Sequence, residues 1–167
     1  MASPKSLRTP CFYAGEHYVM AESMGHLLFQ LMASIRREVE SRMAEHGLTD
    51  AQWQPLLMLK MGRAGTAFEL AREMCVDAGA MTRMLDRLEA KGLIARVRSD
   101  TDRRVVNVQL TAEGEAVVEY VPHVLAAVNN DFLRGFNKQE WTQLKDFLQR
   151  MLLNGQAMQA DGEKDAA

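Results

Sequence analysis

The chain is short of the residue types that mark secreted, membrane-spanning or disulfide-bonded proteins. Its 167 residues include two cysteines, Cys11 and Cys75, which are too far apart for a disulfide framework or for the paired spacing of a metal site. A reducing compartment is the simplest interpretation. No apolar stretch approaches the roughly 20 residues that span a bilayer, and no apolar segment follows Lys5 and Arg8 as a signal peptide requires. These absences predict a cytoplasmic protein without a membrane partner.

Motifs for catalysis are missing as well. The sequence contains no nucleophile elbow, paired carboxylate site, phosphate-binding loop or metal cluster, so an enzyme is not expected. The histidines do not form the i, i+4 ligand pair of a metal site; they are His17, His26, His46 and His123. The sequence therefore predicts no cofactor and no metal ligands. A hydrogen-bonding or titrating role is the preferred interpretation of the histidines.

The charge of the chain is unevenly distributed. The formal net charge is −2, so the whole protein is not a polycation. Residues 81–104, however, hold seven basic and four acidic residues, a local charge of +3, while the rest of the chain is acidic. Any nucleic-acid site must therefore be a local patch, and this segment is its place.

Apolar spacing and helix-start signals predict six helices. The first helix carries a nearly continuous apolar stripe, and the last two are long and apolar on one side. Capping boxes begin at Thr49 and Thr66, and Asp77 is a candidate N-cap. Pro122 should kink the fifth helix. The predicted helices cover about residues 22–45, 50–61, 67–74, 78–91, 112–133 and 138–155, and a polar, frayed tail follows.

The middle of the chain predicts a DNA-binding unit. Two short helices joined by a three- or four-residue turn make a helix-turn-helix. Two β-branched runs at 93–98 and 105–110 predict a hairpin around a polar loop that carries two arginines. Arg83 and Arg87 are four residues apart and therefore share one face of the second helix, opposite its apolar residues. The helix suits a major groove, and the hairpin suits the adjacent minor groove.

Four motifs in this region resemble those of the MarR family of bacterial transcriptional regulators. They are Gly79–Glu89, Lys91–Ile94, Asp100–Arg104 and Leu110–Gly114, and they follow the order and spacing of the family. The resemblance covers about residues 22 to 153. It implies a mainly α protein with a small β-hairpin wing, in which a winged helix-turn-helix domain is joined to long terminal dimerisation helices.

The resemblance also implies a domain plan and a mode of action. Such proteins are homodimers that bind palindromic operators and usually repress transcription. A small molecule, often an aromatic acid, binds between the dimer interface and the DNA-binding lobe and releases the DNA. The plan is an N-terminal arm at 1–20, a MarR-type domain at 21–155 with its winged helix-turn-helix at about 49–110 and dimerisation helices at about 21–46 and 112–155, and a flexible tail at 156–167.

The start of the recognition helix is the expected reader of base edges. Arg83 is the preferred contact to a guanine, and Arg87 contacts a base or a phosphate. Small residues at the helix start allow a deep fit, and Met81 and Thr82 are candidates for a thymine methyl or a phosphate. In the alternative interpretation, both arginines are solvent-exposed charges paired with neighbouring carboxylates.

The hairpin tip is the expected contact to the minor groove. Arg103 and Arg104 lie in the loop, and the resemblance implies that Asp102 orients Arg104 for insertion into a narrow groove. An ordinary polar loop is the alternative. The complete predicted DNA-binding set is Thr66, Ala80, Met81, Thr82, Arg83, Arg87, Arg98, Asp102, Arg103 and Arg104.

The effector is predicted to be an aromatic or phenolic carboxylate. An apolar pocket with a polar handle would accept it, and plain core or interface packing is the alternative for the same side chains. The predicted ligand-binding residues are Tyr13, His17, Tyr18, Met24, His26 and Trp53.

Three other modes of action stay open for this fold. A redox-sensing repressor would use Cys11, although Cys11 precedes the position of the sensing cysteine in the peroxide-sensing branch that it resembles. Some relatives sense zinc. A winged helix can also bind a protein instead of DNA. Cys75 is expected to be a small buried core residue.

Overall fold

The computed structural model describes residues 9–98 and 105–165, which are mainly helical and include one two-stranded sheet. Two single-turn 3₁₀ helices, Gly15–His17 and Met20–Glu22, form part of the arm. The other elements are α1 (Met24–Ala44), α2 (Asp50–Lys60), α3 (Ala67–Glu73), α4 (Ala78–Ala90), β1 (Ile94–Arg98), β2 (Val106–Leu110), α5 (Ala112–Val118), α6 (Tyr120–Phe132) and α7 (Lys138–Asp165).

Both predicted capping boxes are confirmed and set the starts of α2 and α3. The backbone amide of Thr49 donates to Gln52 Oε1 at 3.2 Å. The hydroxyl of Thr66 accepts from the amide of Glu69 at 3.2 Å, and the amide of Thr66 donates to Glu69 Oε2 at 3.1 Å. These local bonds satisfy amides that have no partner inside the helix, so the sequence spacing alone is enough to place both helix starts.

The single helix predicted over residues 112–133 is two helices in the structure. The break lies at Glu119, between α5 and α6. Pro122 explains this position because it has no N–H to donate to the carbonyl of Val118, and its ring crowds that carbonyl. The kink predicted from Pro122 is therefore a break between two helices, and it lies about one turn before the proline.

The last helix is longer than the sequence predicted. α7 begins at Lys138, after Asn137 Oδ1 accepts from the amide of Glu140 at 3.0 Å, and continues to Asp165. The expected end near residue 156 is wrong. Gly155 costs about 1 kcal/mol relative to alanine inside a helix, but that cost alone does not end one. The alanine, glutamine and methionine residues that follow it favour helix.

The hydrophobic core is formed by residues from the middle of the chain, between Val39 and Val128. Side chains from the C-terminal part of α1 and from α2 to α6 fill it, and those that are almost fully buried are Met43, Leu48, Leu56, Leu70, Met81, Leu85, Leu88, Ile94, Val118, Val121 and Val128. The N-terminal half of α1 and much of α7 lie outside this core. They expose large apolar side chains, including Leu27, Phe29, Phe147, Leu152 and Leu153.

The wing is an antiparallel pair that is joined to the helix-turn-helix. β1 and β2 pair with Ile94 opposite Leu110 and Arg98 opposite Val106. The amide of Val108 donates to the carbonyl of Gly65 at 2.8 Å, just before α3. The wing therefore has a fixed position relative to the first helix of the motif.

A glycine allows α5 to lie against the wing. A Cβ atom at Gly114 would be 1.9 Å from the carbonyl oxygen of Leu93. Thr111 secures the same junction, because its hydroxyl donates to the carbonyl of Gly92 at 2.5 Å and accepts from the amide of Gly114 at 3.0 Å. This close backbone approach is the physical reason for a Thr-x-x-Gly spacing after β2.

Candidate nucleic-acid interface

The recognition helix α4 has one face in the core and one in solvent. Asp77 caps it, because its carboxylate accepts from the amide of Ala80 at 2.8 Å. The buried face consists of Met81, Met84, Leu85 and Leu88. The exposed face carries Thr82, Arg83 and Arg87. The helix therefore presents a polar, cationic surface while its apolar residues hold it to the body of the protein.

One predicted DNA contact on α4 is wrong. Met81 is 0% exposed, so its side chain packs inside the core and cannot contact a thymine methyl. The residue lies one position before Thr82 and on the other face of the helix, which the apolar spacing with Leu85 and Leu88 already indicated. Ala80 is half-buried near the capped start of the helix.

Arg83 extends along the first turn of α4. A Cβ atom built on Gly79 would lie 3.5 Å from Arg83 Nη1 and 3.2 Å from Asp77 Oδ1. The guanidinium therefore occupies the space above a residue without a side chain, at the positive end of the helix dipole. Arg87 follows one turn later on the same exposed face.

The carboxylates near these arginines are held by another residue. Arg96 on β1 lies 2.7 Å from Asp86 and 2.8 Å from Glu89, both on α4. Among the described residues, Arg83 and Arg87 form no ion pair with these carboxylates. The ion-pair interpretation of the exposed arginines is therefore not supported, and Arg96 has a bridging role that sequence reasoning missed.

Thr66 has a structural role that its position in the capping box predicted. Its hydroxyl and amide both bond to Glu69, and the amide of Gly65 donates to Glu69 Oε2 at 2.8 Å. These hydrogen bonds, the one from Gly65 first, hold the pKa of the Glu69 carboxyl below its ordinary value. A phosphate contact by Thr66 stays a prediction.

The tip of the wing lies outside the described residues. Arg103 and Arg104, predicted to contact a minor groove, and Asp102, predicted to orient Arg104, are in this part of the chain, so their placement stays a prediction. Arg98 is described: it ends β1 and is exposed.

A crevice of about 850 Å³ separates α1 and α2 from the helix-turn-helix. Its lining includes Met32 and Arg36 from α1, Trp53 from α2, Met74 from the turn after α3, and Met84 from α4. It combines an aromatic ring, flexible apolar side chains and a cation, which is suitable chemistry for a small aromatic acid. Trp53 was predicted to line a ligand site, whereas the other four residues were not.

The remaining predicted ligand residues lie elsewhere. Tyr13 and His17 border a separate hollow of about 490 Å³ in the arm. The rings of Tyr13 and Tyr18 are 5.8 Å apart, and the hydroxyl of Tyr13 accepts from the amide of Met24 at the start of α1. His26 is in the first turn of α1, six residues and about 9 Å along the helix from Met32, the first residue of α1 that lines the crevice. The lining of the crevice beside Trp53 does not include these residues, so their place in one ligand site with Trp53 stays a prediction.

The expectation for Cys75 is also corrected. Cys75 is exposed, in the turn between α3 and α4, where its φ of 53° turns the side chain away from the core. Cys11 lies in the exposed arm, and its thiol donates to the carbonyl of Tyr13 at 3.9 Å. A backbone carbonyl is not the cationic partner that activates a cysteine, so this contact does not support a redox-sensing Cys11.

The described ranges, 9–98 and 105–165, contain no group of three or more potential metal ligands. They also contain no helix that is long and apolar enough to cross a bilayer.

Comparison with known proteins identifies the architecture. The MarR family model matches residues 48–106. The HTH-type transcriptional repressor MdtR of Bacillus subtilis is 36% identical over 113 residues, which cover 68% of this chain and 73% of MdtR. The chain belongs to the MarR family. MarR-family members are transcriptional regulators, not enzymes.

Solved structures of the MarR family agree with this fold. A mutant MarR from Escherichia coli, crystallised in complex with operator DNA, has a TM-score of 0.69 and 28% identity, covering 77% of this chain and 93% of that chain. The MarR-family protein Rv2887 of Mycobacterium tuberculosis, in complex with salicylic acid, has a TM-score of 0.63 and 29% identity, covering 77% and 96%. The mainly α winged-helix fold expected from the sequence is confirmed.

Proposed function

We propose that this MarR-family protein is a homodimeric repressor that binds a palindromic operator and is released by a small aromatic acid. The observation that carries the proposal is the exposed arginine face of α4 beside the wing. Arg83 and Arg87 point away from the core, while the nearby carboxylates Asp86 and Glu89 are both paired with Arg96. A helix of this kind can enter a major groove and donate to guanine edges.

The exposed apolar faces of α1 and α7 support the homodimer. Phe29 is 72% exposed, Leu152 66% and Leu153 63%, on helices that extend beyond the core. Exposed apolar surface on this scale is typical of an interface, and pairing two copies would bury both helices. Two recognition helices would then be about 34–36 Å apart, one turn of DNA, and the operator would be an inverted repeat.

The crevice supports regulation by an aromatic acid. Trp53 supplies an aromatic wall, Met74 and Met84 supply adaptable apolar surface, and Arg36 supplies a cation for a carboxylate. Glu40 also lines the crevice, one helical turn after Arg36. The related Rv2887 binds salicylic acid, which makes salicylate the first probe.

The mechanism follows from where the crevice lies. Its walls belong to the α1–α2 scaffold on one side and to the recognition helix on the other. A ligand that fits a wider crevice better than a narrow one shifts the population toward a differently spaced dimer. Operator affinity falls because the two recognition helices no longer match successive major grooves.

The test begins with selection of a duplex from a random-sequence library by the full chain. We expect an inverted repeat, which the wild type binds more tightly than a scrambled duplex of the same length. Arg83→Ala should lose roughly 1–3 kcal/mol of binding and relax the sequence preference at one position of each half-site. Arg134→Ala is the control, since Arg134 is a strongly exposed arginine in the α6–α7 connection.

Two further measurements complete the test. Sedimentation equilibrium should give a dimer, and added salicylate should lower the affinity for the selected duplex. Failure to select any sequence, or a protein that stays monomeric at micromolar concentration, would refute the proposal. If added salicylate leaves the affinity for the selected duplex unchanged, only the effector part of the proposal is refuted. A reporter gene placed behind the selected sequence tests repression.

A further inference from the structure

The C-terminal end of the recognition helix is joined by one ammonium group to residues between α1 and α2 and at the start of α2. Lys91 Nζ donates to the carbonyl of Gly47 at 3.0 Å and to Gln52 Oε1 at 2.9 Å. Gly47 follows α1, and Gln52 lies in the first turn of α2. We name these three residues the Lys91 cluster. It joins α4 to the corner between α1 and α2.

The partner of Lys91 in α2 is itself held in place. Gln52 is 7% exposed, and its Oε1 also accepts from the amide of Thr49 in the capping box. The ammonium therefore reaches an oxygen whose position is set by a helix start. Hydrogen bonds from a charged donor to a poorly solvated acceptor are stronger and more directional than those in water.

Directionality matters because the buried face of α4 is held by apolar contacts, and the ion pairs of Arg96 join α4 to the wing and not to the corner between α1 and α2. Met84, Leu85 and Leu88 attract the helix to the core, but hydrophobic contact does not favour one precise tilt. The helix is about 20 Å long, so a tilt of about 5° at its C-terminal end moves Arg83 and the helix start by one to two Å. Such a displacement is enough to misplace hydrogen bonds to base edges.

We propose that Lys91 is a positioning residue for operator recognition, which sets the tilt of α4 by binding Gly47 and Gln52. The inference rests on the proposed function, and it adds a residue that does not contact a base. Lys91 acts through Arg83 and its neighbours. Its effect is therefore on discrimination between sequences, not on general attraction to DNA.

The competing role for an exposed lysine near DNA is a phosphate contact. Loss of a phosphate contact weakens binding to all duplexes alike and reduces the slope of log K against log salt by about one. Loss of a positioning residue lowers the affinity for the selected duplex, while the affinity for the scrambled duplex and the slope of log K against log salt stay the same. These two signatures distinguish the roles.

The experiment compares Lys91→Met with the wild type on the selected and scrambled duplexes at several salt concentrations. We expect about tenfold weaker binding to the selected duplex, equivalent to about 1.4 kcal/mol, and less than twofold change on the scrambled one. Lys91→Arg, which can still donate to both oxygens, should restore affinity to within about threefold. The ratio of the two affinities from one preparation does not depend on its folded fraction, so partial misfolding leaves the comparison valid.

A matched control removes the same charge and a similar tether elsewhere. Lys60, at the end of α2, pairs with Glu115 on α5, and its described ion pairs are to Glu115 and Glu119, not to α4. Lys60→Met should leave the ratio between selected and scrambled duplexes unchanged. If Lys91→Met fails to fold, Lys91→Gln provides the same comparison, because its shorter side chain also loses the ammonium.

The outcomes separate the two proposals. If the wild type discriminates and Lys91→Met discriminates equally well, the positioning role is wrong and the proposed function stands. A uniform loss on both duplexes with a lower salt slope makes Lys91 a phosphate contact and also overturns the positioning role. If the wild type prefers no duplex, the proposed function fails and the inference fails with it.

Discussion

Arg96 lies 2.7 Å from Asp86 and thereby joins the first strand of the wing to the recognition helix. The same guanidinium reaches Glu89 one turn later at 2.8 Å. A planar, two-pronged donor between two carboxylates of one helix fixes the angle between helix and wing better than a single contact. The wing and the helix therefore act as one body when they meet DNA.

We expect Arg96→Gln and Arg98→Gln to weaken operator binding in different ways. Arg96→Gln breaks the link between β1 and α4 and should lower the free energy of unfolding by about 0.5–1 kcal/mol, with no change in salt slope. Arg98 is exposed at the end of β1, so Arg98→Gln should leave stability unchanged and reduce the slope by about one. Chemical denaturation and salt-dependent binding measure both effects; identical behaviour of the two variants would contradict these roles.

Gly79→Ala should separate stability from DNA binding. The added methyl group would lie 3.2 Å from Asp77 Oδ1 and 3.5 Å from Arg83 Nη1. Alanine favours helix over glycine by up to about 1 kcal/mol, so stability should change little or rise. Operator affinity should fall because the methyl group displaces Arg83 and thickens the surface that enters the groove.

The control for this change is Gly25→Ala. Gly25 is the second residue of α1, as Gly79 is of α4, and a Cβ atom there meets nothing within 4 Å. Gly25→Ala should raise the midpoint temperature of thermal unfolding without lowering operator affinity. Unchanged operator affinity in Gly79→Ala would show that the surface above Gly79 is not in contact with DNA.

Gly114→Ala should destabilise the whole domain. The new Cβ atom would overlap the Leu93 carbonyl at 1.9 Å, and both partners are backbone, so neither can rotate away. We expect a loss of about 2–3 kcal/mol or more in the free energy of unfolding by urea. Gly155→Ala on α7 meets open space and should be stabilising. If both substitutions changed the free energy of unfolding in the same direction, the close approach of α5 to the backbone of Leu93 would be wrong.

The Glu69 carboxyl should make stability depend on pH below the neutral range. Hydrogen bonds from Gly65 and Thr66 lower its pKa in the folded state from the ordinary value of 4.5. A lowered folded-state pKa means that the contribution is complete above about pH 4.5 and is lost as the pH falls through the lower value. Glu69→Gln keeps a cap acceptor without a titrating group.

Urea unfolding of the wild type and Glu69→Gln between about pH 6 and pH 3 tests this expectation. The difference in unfolding free energy between them should favour the wild type more at the upper end than at the lower. A difference that is constant over this range would show that the carboxylate is not stabilised by the cap.

Much of the DNA-binding unit could be predicted because its signals are local. Thr49, Thr66 and Asp77 mark helix starts through bonds to residues within the next turn, and such spacing is visible in the chain itself. The exposed position of Arg83 and Arg87 follows from helical periodicity. Periodicity also placed Met81 on the buried face, so its assignment to DNA was an error of interpretation.

Other features depend on residues that are distant in the chain. The ion pairs of Arg96 are one example, because the position of β1 against α4 brings its guanidinium to Asp86 and Glu89. Trp53 was grouped with the aromatic residues of the arm, but it lines the crevice, whereas Tyr13 borders a separate hollow. No local sequence pattern reports either arrangement.

The order of the elements, their caps and the cationic face of α4 were determined by the amino-acid sequence alone, because each depends on side chains within about one helical turn of one another. Tertiary packing alone decided which carboxylates Arg96 holds, that Lys91 reaches Gly47 and Gln52, and that the crevice lies between α1, α2 and α4. The physical reason is that ion pairs and cavities form between surfaces, and surfaces meet only when the chain has folded.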